Sequence, residues 1–186
     1  MAKISQQLIV ETAARLIEES GTIDISLTKI ATTLGITHAA LYKHFNSKQA
    51  IWEAVAFAWF EEHIIKQVQS EMSTPKAASV SREDQLHDWL WAFVNAKKEA
   101  YSADEQMFIL NTEYVDNNPL ALRKVLTSAY CAIDRIMGYQ DEQHEHSETI
   151  LSAFTIFTLP NFKDTWNWSD YQPRFEAMWA LIRRGL

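Results

Sequence analysis

Short hydroxyl or amide side chains stand just before most of the apolar-periodic stretches of this chain, and three of its four glycines stand just after one. That punctuation belongs to α-helices, whose free N-terminal N–H groups need side-chain acceptors and whose last turn closes on a left-handed residue. Residues 5–20 form the first such stretch, with Ile9, Ala13, Leu16 and Ile17 on one stripe and Gly21 at its end. Ser26 caps a second, residues 27–34, with Leu27, Ile30, Ala31 and Leu34 facing inward and Gly35 closing it. Thr37 caps a third through about His44, and Asn46 or Ser47 opens a fourth, with Asn46 and Gln49 spaced as a capping box.

The fourth stretch, residues 47–71, is apolar almost all round between Ile51 and Phe60, as in a helix buried on two sides. Residues 73–81, with Pro75 and no apolar stripe, read as a linker. Residues 82–101 carry Leu86, Trp89, Leu90 and Phe93 at helical spacing, and Ser102 with Glu105 is spaced as a second capping box. Asn118 followed by Pro119 opens a helix over 119–137, with Leu122, Val125, Leu126, Ala129, Ile133 and Ile136 inward and Gly138 as its stop. Two more helices are expected at 141–159, stopped by Pro160, and at 171–184, with Phe175, Met178, Trp179 and Ile182 on one face. Between them, residues 161–170 read as a polar and aromatic loop holding Trp166 and Trp168.

The expected fold is therefore all-α, with about nine helices. Only 4 Gly and 4 Pro in 186 residues argue against turn-rich β architectures and against disorder. The longest apolar stretch, residues 50–60, is interrupted by Glu53 and reaches about half of the roughly 20 residues a membrane span needs. One cysteine, Cys131, cannot form an intrachain disulfide; its place in an apolar stripe suggests a small packing residue. With no charged and apolar leader at the start, the expected location is the cytoplasm.

The formal charge of −7 opposes nucleic-acid binding by the molecule as a whole. It is unevenly spread. Residues 1–48 set Lys3, Arg15, Lys29, Lys43 and Lys48 against Glu11, Glu18, Glu19 and Asp24, a net of +1, which leaves −8 for the remainder. Within that neutral part, residues 27–45, LTKIATTLGITHAALYKHF, read as two short helices about a turn at Gly35, the second presenting small, polar and basic side chains. This is a helix-turn-helix. Ile30, Ala31, Ile36 and Leu41 supply the small core that fixes the angle between the helices. Thr37, His38, Ala39, Tyr42 and Lys43 then lie where such helices meet base edges and phosphates, and Lys48 lies at the next helix start, placed for phosphate.

Residues 8–55 resemble the N-terminal DNA-binding domain of the TetR family of bacterial one-component regulators. The resemblance rests on Gly21, Ser26, the Ile30-Ala31 pair and the run GITHAALYKHFNSKQAI; beyond it, only length, helix count and the closing RRGL agree. It implies a DNA-binding domain at 1–48 and a ligand-binding and dimerisation domain at 49–186. It further implies a homodimer paired through the last two helices, a palindrome-like double-stranded operator, and a small-molecule inducer enclosed by helices four to seven. Thr28, Thr37, His38, Ala39, Tyr42, Lys43, His44 and Lys48 fall on the family's DNA-facing positions. Thr28 and His38 stand where basic residues are frequent, and Ala39 and Ala40 replace the Gly or Pro and Thr often found there, so no operator sequence carries over.

Aromatic residues are 12% of the chain and most follow residue 50. Rings at helical spacing usually form core, yet facing stripes can also line an apolar ligand cavity. Trp59, His63, Trp89, Phe93 and Tyr130 are the ligand-binding candidates, with Asn95, Asn111 and Cys131 as further polar groups near the stripe. The inducer expected for such a lining is apolar or aromatic. The run DEQHEHSE, residues 141–148, brings His144 and His146 among carboxylates, but two helical residues apart they point about 200° from each other, so no metal site is expected. No cofactor is expected either. With no nucleophile elbow, phosphate loop or Glu-x-x-His pair, an enzyme is disfavoured. The leading expectation is a transcriptional repressor released by an inducer. The alternatives are a dimeric helical binding module without DNA contact and, less favoured, a helical metal protein.

Overall fold

The structure, a computed structural model, describes residues 4–73 and 80–186. Most of the expected linker at 73–81, including Pro75, lies outside the described residues. Among the described residues there are eleven α-helical segments and no strand. They cluster into two compact units, Met1–Phe60 with Asp104–Leu122 and Glu61–Ala103 with Arg123–Leu186, a partition that differs from a cut at residue 48.

In the first unit, α1 (Gln6–Ser20) is capped by Ser5, whose side chain accepts from the Leu8 N–H, and it buries Ile9, Ala13, Leu16 and Ile17 as its stripe requires. Helix α2 (Leu27–Thr33) is capped by Ser26, which accepts from the Lys29 N–H. Helix α3 (His38–Leu41) is shorter than expected, because the chain tightens into i→i+3 turns at Lys43 and His44, and Thr37 makes no side-chain cap. Ser47, not an Asn46–Gln49 box, caps α4 (Lys48–Phe60), accepting from the Ala50 N–H at 3.0 Å. Gln49 instead reaches Glu53 at 2.9 Å and the Tyr114 carbonyl.

Helix α4 packs on both α1 and α7 (Glu105–Asn111), which explains its nearly continuous apolar surface and the extension of the unit past residue 48. The cap of α7 is Asp104, accepting from the Met107 N–H at 3.0 Å. Ser102, expected in that role, bonds back to the Lys98 carbonyl. A π-helical turn, Thr112–Asp116, follows α7.

The expected single helix over 47–71 is in fact α4, a π-helical stretch Glu61–Ile65 and α5 (Lys66–Met72); the wide turn accompanies burial of Ile64, Ile65 and Val68 together. In the second unit α6 (Arg82–Ala103) packs against α5 and α9 (Thr127–Met137), with Leu86, Trp89, Leu90 and Phe93 buried. The expected helix over 119–137 is interrupted at Leu126, giving α8 (Pro119–Val125) and α9; the Thr127 hydroxyl bonds back to the Arg123 carbonyl beside the break.

The helix expected at 141–159 begins late and ends early, as α10 (Glu145–Ala153). His144, at φ 57°, turns the chain into it, while Asp141 accepts from the N–H groups of Gln143 and Glu145. A 3₁₀ turn, Thr155–Phe157, then puts Phe154 and Phe157 into the core together, both fully buried. The stretch 161–170 is not a simple loop: Pro160–Thr165 is 3₁₀, and Trp166, 1% exposed, donates its indole N–H to the Ile156 carbonyl at 2.9 Å. Helix α11 (Tyr171–Ile182) closes on a 3₁₀ turn, Arg183–Gly185.

Candidate nucleic-acid interface

Packing fixes the backbone of the helix-turn-helix before any partner arrives. Leu27, Ile30 and Ala31 of α2 are buried, as are Leu41 and Phe45, so α3 is pinned from below. Between the helices Gly35 takes φ +68°, a left-handed conformation that costs other residues about 1–2 kcal/mol. The Ile36 N–H bonds to the Ala31 carbonyl at 3.0 Å and carries the chain from α2 into the turn.

What remains outside is the face the sequence singles out. Thr28, Thr37, His38, Ala39, Tyr42, Lys43 and Lys48 are all exposed, and His44 is half-buried. Lys43 and Lys48 form no ion pair among the described residues, so their charges are available to an anionic partner. His38 and Tyr42 meet edge to face, ring centroids 5.4 Å apart with planes at 79°. Gln6, at the start of α1, donates to the His44 carbonyl and ties α1 to the end of the motif. Nothing in helical periodicity marks Gln6 for that task, since the bond spans 38 residues.

The ligand candidates are distributed between the two units. In the first, Trp59 is buried and packs edge to face with Phe108 at 6.5 Å. In the second, Trp89 and Phe93 are buried and stacked, 5.2 Å apart with planes at 13°. Tyr130 is buried, and burial first, then the Glu148 carboxylate, pushes its hydroxyl up to about 12. His63 is exposed on the π-helical stretch. Among the further polar groups, Asn95 bonds to the Trp91 carbonyl in its own helix, buried Asn111 donates to Asp116, and Cys131 is exposed, contrary to the packing role expected of it.

A cavity of about 380 Å³ in the second unit has a different lining, which includes Tyr139, Glu145, His146, Thr149, Ile150 and Ile182. Sequence reasoning missed it because its walls come from the starts and ends of helices rather than from an aromatic stripe. His144 and His146 do not converge: the first contacts Asp134, the second lies on the Tyr139 ring at 5.0 Å and beside Asp141 at 3.5 Å. Among the described residues no three His, Cys, Asp or Glu side chains gather in a way that could hold a metal ion. None of the described helices is long and apolar enough to cross a membrane.

Comparison with known proteins decides what this domain is. The pattern described as bacterial regulatory proteins, tetR family, matches residues 9–55. Residues 9–55 are thus similar to the N-terminal domain of that family. A curated relative, the class A tetracycline repressor from transposon 1721 of Escherichia coli, is 33% identical over 63 residues, 34% of this chain. The match spans only 29% of that repressor's length. In fold, likeness to known proteins extends further. The fatty acid degradation regulator FadR from Bacillus halodurans superposes with a TM-score of 0.54 at 17% identity, covering 97% of this chain and 95% of that one. ActR from Streptomyces coelicolor, solved in complex with (S)-DNPA, gives 0.52 at 16% identity over 100% of both chains. BioQ, solved with its double-stranded DNA operator, gives 0.50 at 17% identity over 95% and 96%. At these identities the agreement is one of architecture, all-α throughout.

Proposed function

We propose that this protein is a ligand-responsive, DNA-binding transcriptional repressor that acts as a homodimer. The observation that carries the reading is the exposed polar and basic face of α3 and its surroundings, held rigidly by buried Leu41 and Phe45 while Lys43 and Lys48 keep their charges for a partner. Thr28, Thr37, His38, Ala39, Tyr42, Lys43, His44 and Lys48 are the proposed DNA-binding residues. Lys43, Lys48 and the Tyr42 hydroxyl serve phosphates, which position the domain, and His38 serves a base edge, which specifies the site. Two copies presenting this face about 34–36 Å apart would read successive major grooves of a palindrome-like duplex.

Support for the dimer comes from α11, whose exposed side carries Pro173, Ala177, Ala180 and Leu181, an apolar stripe with small residues that suits a second copy. For the inducer, an apolar or aromatic small molecule remains the proposal, with His63, Trp89, Phe93 and Tyr130 of the second unit as its contacts; ActR's complex with (S)-DNPA is a precedent for a ligand on this architecture. Such a ligand would release the operator by binding better to a conformation in which the two reading faces lose their spacing.

Retardation of the duplex upstream of the protein's own gene tests the reading. Binding should appear at low salt and weaken steeply as salt rises, since phosphate contacts release counterions. Lys48→Ala should weaken binding to every duplex and reduce the salt slope by about 1, whereas His38→Ala should change sequence preference. No retardation at low salt, or identical effects of the two substitutions, contradicts the assignment.

A further inference from the structure

Helix α3 has four residues, and three of them are unable to read a base by hydrogen bonding: Ala39 and Ala40 carry only methyl groups, and Leu41 is fully buried. Base-edge recognition within the helix therefore falls on His38. An exposed imidazole on its own samples several rotamers, and ordering it at a base costs binding free energy. Here it does not stand alone. Tyr42, one turn on and 43% exposed, lies edge to face with it at 5.4 Å. The backbone under both rings is held by the Leu41 anchor and by the Phe45 N–H bonding to the Leu41 carbonyl at 3.1 Å. Among the described residues the His38 ring nitrogens make no hydrogen bond, so they remain available to a partner.

We propose that Tyr42 is a positioning residue for His38: its ring holds the imidazole in one orientation, from which an N–H donates to the major-groove edge of one guanine in each half-site. Guanine is favoured because O6 and N7 both accept there, whereas adenine pairs its N7 acceptor with an N6 donor. The flanking methyls of Ala39 and Ala40 leave the helix slim enough for the pair to approach the base edge. This inference rests on the DNA-binding reading above and adds a division of labour to it: the Tyr42 ring serves specificity, while its hydroxyl serves a phosphate.

The test uses the full chain. A randomised duplex library is selected first, and each guanine of the enriched sequence is then replaced by adenine, with affinities read by fluorescence anisotropy at one salt concentration. One guanine per half-site should cost about tenfold on replacement, in the range of a single specific base contact. His38→Ala should abolish that discrimination. Tyr42→Ala should reduce it about fivefold, in line with an aromatic pair, and should add nothing in the His38→Ala background. Tyr42→Phe should keep the discrimination while weakening binding to all duplexes, because it retains the ring and loses the hydroxyl. In the free protein, the His38 ring proton signals should move on Tyr42→Ala and stay in place on Tyr42→Phe. Intact discrimination in Tyr42→Ala, or unchanged His38 signals, overturns the positioning role. Enrichment of no sequence at all removes the DNA-reading proposal and this one with it, an outcome distinct from enrichment that is indifferent to Tyr42.

Discussion

Of the three glycines that end helices in the left-handed region, Gly35 and Gly138 have different surroundings, and substitution separates them. A Cβ at Gly35 meets nothing within 4 Å, so Gly35→Ala should cost only the backbone strain, about 1–2 kcal/mol in chemical denaturation, and Gly35→Asn less. At Gly138 a Cβ would come within 2.8 Å of Arg82 Nη1, the atom that donates to the Met137 carbonyl at 2.8 Å. Gly138→Ala should therefore be the more damaging change by roughly 1 kcal/mol, through displacement of that hydrogen bond. Equal costs would mean that the Arg82 contact contributes nothing. Both glycines stand out in the sequence as helix stops, but only Gly138 has a partner 56 residues away, which no local pattern reveals.

Helix ends show where local chemistry suffices and where it does not. Ser26 is legible as a cap because it bonds an N–H three residues on, within a segment that is helical by its own periodicity. Replacing Ser26 by Ala should cost about 1 kcal/mol, read as a lower denaturation midpoint with an unchanged slope. The start of α10 was hidden for a tertiary reason: Asp134 on α9 accepts from the Ser147 hydroxyl and contacts the His144 ring, holding the turn that the sequence would have run on as helix. Asp141 serves as an acceptor at that start. Burial alone would raise its carboxyl, but the N–H groups of Gln143, Glu145 and His146, together with the His146 side chain, hold it below the usual 3.8. A carboxylate with a lowered folded pKa contributes stability above its unfolded value and loses it as pH falls through the folded one. Asp141→Asn should therefore destabilise the protein at neutral pH and make little difference near pH 2, a contrast that thermal melts at the two pH values would read. An equal loss at both would show that charge at Asp141 is immaterial. The helix-turn-helix face was readable for the opposite reason: its exposed residues are defined by a short core of Ile30, Ala31 and Leu41 close by in sequence, whereas the second unit's cavity is assembled from residues up to 47 positions apart.

At the scale of the whole molecule, the acidic balance of −7 and the proposed DNA-reading face are reconciled by segregation, because the first 48 residues carry +1. Two such faces acting together require a dimer. Light scattering at micromolar concentration should give about twice 21.5 kDa, and Leu181→Glu, which puts a charge on the exposed apolar side of α11, should return it toward the monomer. A monomeric wild-type protein would remove the α11 stripe as an interface. Groove reading by a pair of copies has a footprint of its own. Hydroxyl-radical cleavage of an enriched duplex bound by the full chain should show two protected sets on one face of the DNA, their centres about 10–10.5 base pairs or a multiple apart, both lost in Lys43→Ala/Lys48→Ala. A single protected set, or protection that survives that double substitution, would contradict the claim that paired α3 faces are what this protein brings to DNA.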